Sequence, residues 1–175
     1  MKNLLLRIND RIYMTCIWIA GLAVLGVALI IPWGIFARYV LGAGSSWPEP
    51  TAILLMLVFT FIGAAASYRA GAHMSVAVLT DRLSAAQRNA VGIVAQLCMA
   101  TICLFMTVWG SKLCLSTWNQ FMSAIPTLRV GITYMPIPLG GLLTLVFVLE
   151  KLLLGDQSHR RVVRFDLVEE NEGAA

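Results

Sequence analysis

Residues 12–37 read IYMTCIWIAGLAVLGVALIIPWGIFA, a stretch of 26 residues without one charged side chain. A helix needs about 20 apolar residues to cross the hydrocarbon core of a bilayer. Three further uncharged stretches, of 19, 23 and 20 residues, run over 50–68, 89–111 and 130–149. The sequence therefore predicts an all-α integral membrane protein with four transmembrane helices.

Composition supports this interpretation and limits what else the chain can contain. Of the 175 residues, 59% are hydrophobic and only 13% are charged, whereas a soluble domain carries about 25% charged residues. We expect one four-helix transmembrane bundle over 1–155. The remaining residues, 156–175, form a polar tail whose charge-rich composition predicts disorder. The first span is too long for the apolar region of about 7–15 residues in a cleaved signal peptide, so we expect it to be retained.

The distribution of basic residues predicts the orientation of the four spans. Lys and Arg concentrate in cytoplasmic loops, and ten of the 13 basic residues flank the spans on one side. The ten are Lys2, Arg7, Arg11, Arg69, Arg82, Arg88, Lys151, Arg160, Arg161 and Arg164. Both termini and the middle loop are therefore expected in the cytoplasm. The same explanation accounts for the net charge of +4, so we expect no nucleic-acid partner.

Smaller features predict departures from four plain helices. Leu4, Leu5 and Ile8 fall on one face of residues 1–11, which favours a short helix lying in the membrane interface. A second amphipathic, interfacial segment is expected after residue 73. Pro136 and Pro138 near the start of the fourth span should bend or unwind its outer half.

The spans lack the residues that carry chemistry in membranes. They contain no Asp, Glu, Lys, Arg or His, although pumps and transporters place such groups inside the bilayer. Haem anchors need axial ligands within the bundle, and the two histidines, His73 and His159, lie outside the spans. No catalytic constellation occurs either. We expect neither an enzyme nor a cofactor or metal site, but a helper subunit within a membrane complex.

Several short motifs then appear in a fixed order along the chain. They are Arg38-Tyr39, Trp47-Pro48-Glu49, Phe61-Ile62-Gly63-Ala64-Ala65, Arg69-Ala70-Gly71-Ala72-His73, and Tyr134 followed by Pro138-Leu139-Gly140. In this order the chain resembles, over roughly residues 10–155, the DctQ-type small membrane subunit of tripartite ATP-independent periplasmic (TRAP) transporters. It departs from the family pattern at Pro50 and Ala77, where an acidic residue is common.

The resemblance implies a function. Such a small subunit is non-catalytic and braces a large membrane subunit, which carries the sodium and substrate sites. A periplasmic substrate-binding protein docks transiently and delivers a small organic acid, such as a dicarboxylate, keto acid or sugar acid. The expected location is the bacterial inner membrane, with phospholipids as further partners. Two alternatives stay open: a self-sufficient small four-helix transporter, and a membrane anchor of a redox complex.

The resemblance also yields candidate contacts with the large subunit or with lipid headgroups. They are Arg38, Trp47, Glu49, Gly63, Ser67, Arg69 and His73. Trp118, in the apolar third loop, is a candidate contact with the periplasmic receptor. Simpler roles compete with these. Glu49 suits the N-terminal dipole of a helix, and the small pair Gly63 and Ser67 suits close helix packing within this chain.

Overall fold

The structure is a computed structural model that describes residues 2–42, 44, 46–71 and 85–155. It has four long helices that meet the length and apolarity of a membrane span, which confirms the prediction. Helix α1 covers Lys2–Tyr39, α2 covers Pro48–Arg69 and α3 covers Ala85–Ser116. The fourth span consists of a short helix α4, Val130–Tyr134, and α5, Pro136–Leu154.

The helices form an open row. Helix α1 packs along α2, α2 along α5, and α5 along α3, whereas α1 and α3 do not pack along each other within the described residues. The fraction of buried residues is higher in the two inner spans, at 39% in the fourth and 22% in the second, than in the two outer spans, at 17% in the first and 6% in the third. The four long helices are thus neighbours in the order α1, α2, α5 and α3.

Two adjacent glycines allow α5 to sit between α2 and α3. A Cβ atom placed on Gly140 would lie 2.6 Å from Phe61 Cβ of α2, and one on Gly141 would lie 2.9 Å from Thr107 Oγ1 of α3. Both distances are too short for a methyl group. The glycines therefore face opposite neighbours and let the backbones approach closely, as small residues do in membrane helices.

The break in the fourth span lies where the two prolines predict it. Helix α4 ends at Tyr134, and α5 begins at Pro136, where a missing N–H costs little because first-turn donors have no helical partner. Thr133, before the break, is buried, and its hydroxyl has no hydrogen-bond partner among the described atoms. The fourth span is thus interrupted at one residue, Met135, whose φ of −57° and ψ of −33° are still helical.

The N-terminal residues differ from expectation. Residues 2–11 are helical, but they continue into the first span without a break, so no separate interfacial helix exists there. At 1.5 Å per residue this 38-residue helix is about 57 Å long, well beyond the hydrocarbon thickness of about 30 Å. It must tilt or project past the membrane surface.

A small hairpin follows α3 and was not expected from the sequence. Strand β1, Phe121–Met122, pairs antiparallel with β2, Ile125–Arg129, through an irregular register. Ser46, just before α2, donates a hydrogen bond from its hydroxyl to the carbonyl oxygen of Ala124 at 3.3 Å. We call this the hairpin end of the row; the opposite end, which carries the N-terminus of α1 and the C-termini of α2 and α5, is the terminal end.

Candidate functional site

A single arginine organises the terminal end of the row. Arg69 is the last residue of α2, and only 2% of its side chain is exposed. Its Nε donates to Glu150 Oε2 at 2.9 Å, and Nη2 donates to Glu150 Oε1 at 2.9 Å. Nη2 also lies 2.7 Å from Asp10 Oδ1, and Nη1 donates to the carbonyl oxygen of Asn9 at 3.1 Å. All three guanidinium nitrogens are therefore engaged by neighbouring helices.

Two aromatic rings lie against the same guanidinium group. The Cζ atom of Arg69 is 5.3 Å from the ring centroid of Tyr13 in α1 and 5.4 Å from that of Phe147 in α5. Both distances are within the range of a cation–π interaction. Tyr13 and Phe147 belong to the buried hydrophobic core with Cys16, Ile62 and Ala65, so the ion cluster is continuous with that core.

Helices α1 and α5 each contribute one carboxylate and one aromatic ring to the cluster around Arg69. In α1, Asp10 precedes Tyr13 by three residues, and in α5, Phe147 precedes Glu150 by three. Residues at this spacing share one face of a helix, so each helix presents a carboxylate and a ring together. Gly71, two residues after Arg69, has a φ of +75°, which ends the helix at a position suited to glycine.

The charged side chains of the cluster need these contacts because they are buried. The side chain of Glu150 is 2% exposed and that of Asp10 is 15% exposed. An isolated charge in such surroundings is very costly, whereas a paired and hydrogen-bonded one is tolerated. The cluster thus holds α1, α2 and α5 in one register. Four of the five guanidinium N–H groups donate to partners within the chain.

Arg69 lies inward in the structure, unlike the exposed candidates Arg38, Trp47 and Glu49. The sequence placed it among contacts with lipid headgroups or a second subunit, but its side chain is enclosed by three helices of its own chain. A contact of Arg69 with a second subunit or with lipid headgroups stays a prediction, and in the structure its side chain is bound within its own chain. The physical reason is that two carboxylates and two rings leave the guanidinium with almost no exposed surface.

Other predicted residues stay accessible or pack within the chain. Arg38 and Glu49 are exposed at the hairpin end, and both line the same cleft between α1 and α2. Trp47 precedes α2 and is 42% exposed. A Cβ on Gly63 would lie 3.8 Å from Ala20 Cβ of α1, so this glycine faces the chain's own first helix. Ser67, one turn further on, is half-buried.

The remaining candidates divide between the hairpin and undescribed residues. Trp118 is 38% exposed, and the guanidinium of Arg129 lies 5.4 Å from its ring centroid. Arg129 also lies 5.8 Å from the ring of Phe121, which is 58% exposed. His73, the expected interfacial segment after it and the tail over 156–175 fall outside the described residues.

The sequence interpretation missed Asp10, Glu150, Tyr13 and Phe147. The signal was present, because a carboxylate and an aromatic residue three positions apart occur at the terminal end of both the first and the fourth span. What the sequence could not supply was that these two helices both adjoin α2. Among the described residues, no group of three His, Cys, Asp or Glu side chains has the geometry of a metal site.

The fold and this cluster define a class of protein: a multi-pass α-helical membrane protein in which a buried ion cluster joins three helices. Comparison with known families places it further. Residues 27–157 match the family of tripartite ATP-independent periplasmic transporters, DctQ component, and the chain belongs to this family. It is thus the small membrane subunit of a TRAP transporter and a transporter component.

A curated relative agrees with this membership. The chain is 24% identical over 159 residues to a Haemophilus influenzae protein, which is named, provisionally, as a TRAP transporter small permease protein. The alignment covers 87% of this chain and 92% of the relative. The two proteins therefore correspond over nearly their whole lengths.

Proposed function

We propose that this chain braces the large membrane subunit of a TRAP transporter and carries no solute itself. The observation that supports this most directly is the buried cluster of Arg69, Asp10 and Glu150, which joins α1, α2 and α5 and which we call the helix clamp. A transported ion or acid needs polar groups that can exchange partners inside the membrane. A clamp of this kind suits a rigid scaffold.

The open row suits the same role. Helices α1 and α3 each pack along one long helix of this chain, and only 6% of the residues in the apolar part of the third span are buried, which leaves much of its apolar surface for lipid or a second subunit. A rigid row of helices beside a moving carrier would enlarge the membrane area that the carrier occupies. In this proposal the large subunit holds the sodium and substrate sites, and the sodium gradient drives uptake of a small organic acid.

We place the terminal end in the cytoplasm of a bacterium and the hairpin end in the periplasm, with the chain in the inner membrane. The positive-inside rule supports this orientation, because ten of the 13 basic residues flank the spans on the terminal side. The exposed aromatic residues Trp118 and Phe121 would then face the transiently docked substrate-binding protein. Arg38, Trp47 and Glu49 would lie at the same periplasmic level, available to the large subunit or to lipid.

Affinity purification tests the scaffold role. A tag on the C-terminal tail, with solubilisation of native membranes in mild detergent, should recover a much larger polytopic protein in near one-to-one amount. The untagged strain is the control for adventitious membrane proteins. Recovery of this chain alone, as a homo-oligomer that transports a solute after reconstitution, would contradict the scaffold role and support a self-sufficient small transporter.

A further inference from the structure

A cleft opens between α1 and α2 at the hairpin end, on a surface that the helix clamp does not use. Its volume is about 360 Å³. Small residues form its floor, since Gly34 approaches Pro48 so closely that a Cβ on the glycine would lie 2.9 Å from the proline Cβ. Larger apolar side chains form its walls: Ile31, Ile35, Ile53 and Met56. The cleft thus runs from the end of the spans toward the membrane interior.

The mouth of the cleft carries one positive and one negative charge. Arg38 and Glu49 both line it, both are exposed, and neither forms an ion pair among the described residues. The same two side chains border an adjoining groove that leads to Ala124 of the hairpin. A ligand in the cleft therefore meets a cation and an anion at the rim and an apolar channel below them.

Two aromatic residues indicate where the rim lies relative to the membrane surface. Tyr39 is 80% exposed and lies in the lining of the cleft, and Trp47 adjoins it at the start of α2. Exposed Tyr and Trp side chains at span ends are typical of the membrane–water interface. The rim therefore lies at the level of phospholipid headgroups, and the walls lie at the level of acyl chains.

We propose that the cleft binds a zwitterionic phospholipid with a primary amine headgroup, such as phosphatidylethanolamine. Its phosphate pairs with the guanidinium of Arg38, its ammonium donates hydrogen bonds to the carboxylate of Glu49, and one acyl chain lies along the apolar walls. A choline headgroup has no N–H donor and cannot hydrogen-bond to Glu49, so the carboxylate selects for the primary amine. An anionic phospholipid lacking an amine would leave Glu49 unpaired.

A lipid fits this cleft better than a protein segment does. A protein occupant would have to bury its own ion pair against Arg38 and Glu49, and the desolvation of two charges offsets much of the gain. A lipid headgroup stays in interfacial water and avoids that cost, while its acyl chain gains apolar contact. The cleft would bind lipid whether or not the chain braces a second subunit.

Native mass spectrometry of the full chain in nanodiscs tests the proposal. The nanodiscs contain equal amounts of dioleoyl phosphatidylethanolamine and dioleoyl phosphatidylcholine in a phosphatidylglycerol background. We expect the wild-type chain to retain the ethanolamine lipid with about two- to fivefold preference, the range that an exposed ion pair supports. Glu49→Gln should bring the ratio to about one, and Arg38→Gln should lower retention of both lipids.

Two further variants make the result decisive. Lys112→Gln removes an exposed positive charge of α3, outside the cleft, and should leave the preference intact. The charge-exchanged variant Arg38→Glu with Glu49→Arg keeps both charges at the rim and should retain the preference. Preference that survives Glu49→Gln, or that Lys112→Gln removes to the same degree, would overturn the proposal. So would a photo-crosslinker at position 49 that captures only polypeptide in native membranes.

Discussion

Among single substitutions of the three clamp residues Arg69, Asp10 and Glu150, Arg69→Ala should destabilise the chain most. The substitution leaves Glu150, 2% exposed, and Asp10, 15% exposed, without the cation between them. Removing one partner of a buried ion pair costs about 3–5 kcal/mol, because the remaining charge stays buried and unpaired. By the scaling for soluble domains of this size, the thermal midpoint should fall by about 6–20 °C.

Neutralising either carboxylate should destabilise the chain less than Arg69→Ala does, and Glu150→Gln should destabilise it more than Asp10→Asn. After Glu150→Gln, Arg69 keeps Asp10 and the Asn9 carbonyl, so we expect a loss of about 1.5–3 kcal/mol. Asp10→Asn should cost about 1 kcal/mol, since Glu150 still binds two guanidinium nitrogens and Asp10 is more exposed. The expected loss of stability is largest at Arg69, smaller at Glu150 and smallest at Asp10. This order follows from the geometry of the cluster and not from the side-chain types taken separately.

The chain's cysteines provide the assay. Cys16, Cys103 and Cys114 are buried, whereas Cys98 is exposed. In a Cys98→Ser background, a thiol-reactive fluorophore therefore reports the loss of packing as the detergent-solubilised protein is heated. Arg11→Ala is the matched control, because this arginine lies near the same end of α1 but is exposed; its effect should stay below about 0.5 kcal/mol. Equal midpoints for the Arg69 and Arg11 variants would refute the clamp.

Three further changes have outcomes that the structure specifies. Gly140→Ala should destabilise the chain by about 1–3 kcal/mol in the same thermal assay, because the new methyl group meets the backbone of α2. Gly92→Ala, which meets nothing within 4 Å, should be neutral or stabilising by up to about 1 kcal/mol; a larger loss at Gly92 than at Gly140 would argue against the close approach. A reporter fused after Gly44 should behave as periplasmic, and cytoplasmic activity would reverse the proposed orientation. Trp118→Ala should cost about 0.5–1 kcal/mol through loss of the contact with Arg129 and should lower receptor-dependent uptake several-fold; unaltered uptake would contradict contact with the binding protein.

Membrane insertion could be predicted from the sequence because it depends on local composition. Each apolar stretch satisfies the length requirement by itself, and the four spans are found where the uncharged stretches occur. The break before Pro136 was predictable for the same reason, since proline acts on its own helix. The order of short motifs over 38–73 likewise identified the family, which a match over 27–157 confirms.

The site was predictable only in part. Arg38 and Glu49 are exposed, and the interface role expected for them stays a prediction. For Arg69 the sequence could not show that the side chain lies inward, because a basic residue at a span end looks the same whether it reaches outward or inward. The difference depends on Asp10 and Glu150, which lie 59 and 81 positions away along the chain.

Four membrane spans and membership of a transporter family could be predicted from the amino-acid sequence, because hydrophobicity and motif order are properties of single segments. The order of the helices, the inward position of Arg69 and the cleft lined by Arg38 and Glu49 are visible only in the folded chain. These depend on which helices are neighbours. Two adjacent glycines in α5 and one buried cation in α2 select that arrangement through close packing and charge pairing, which act between segments rather than within them.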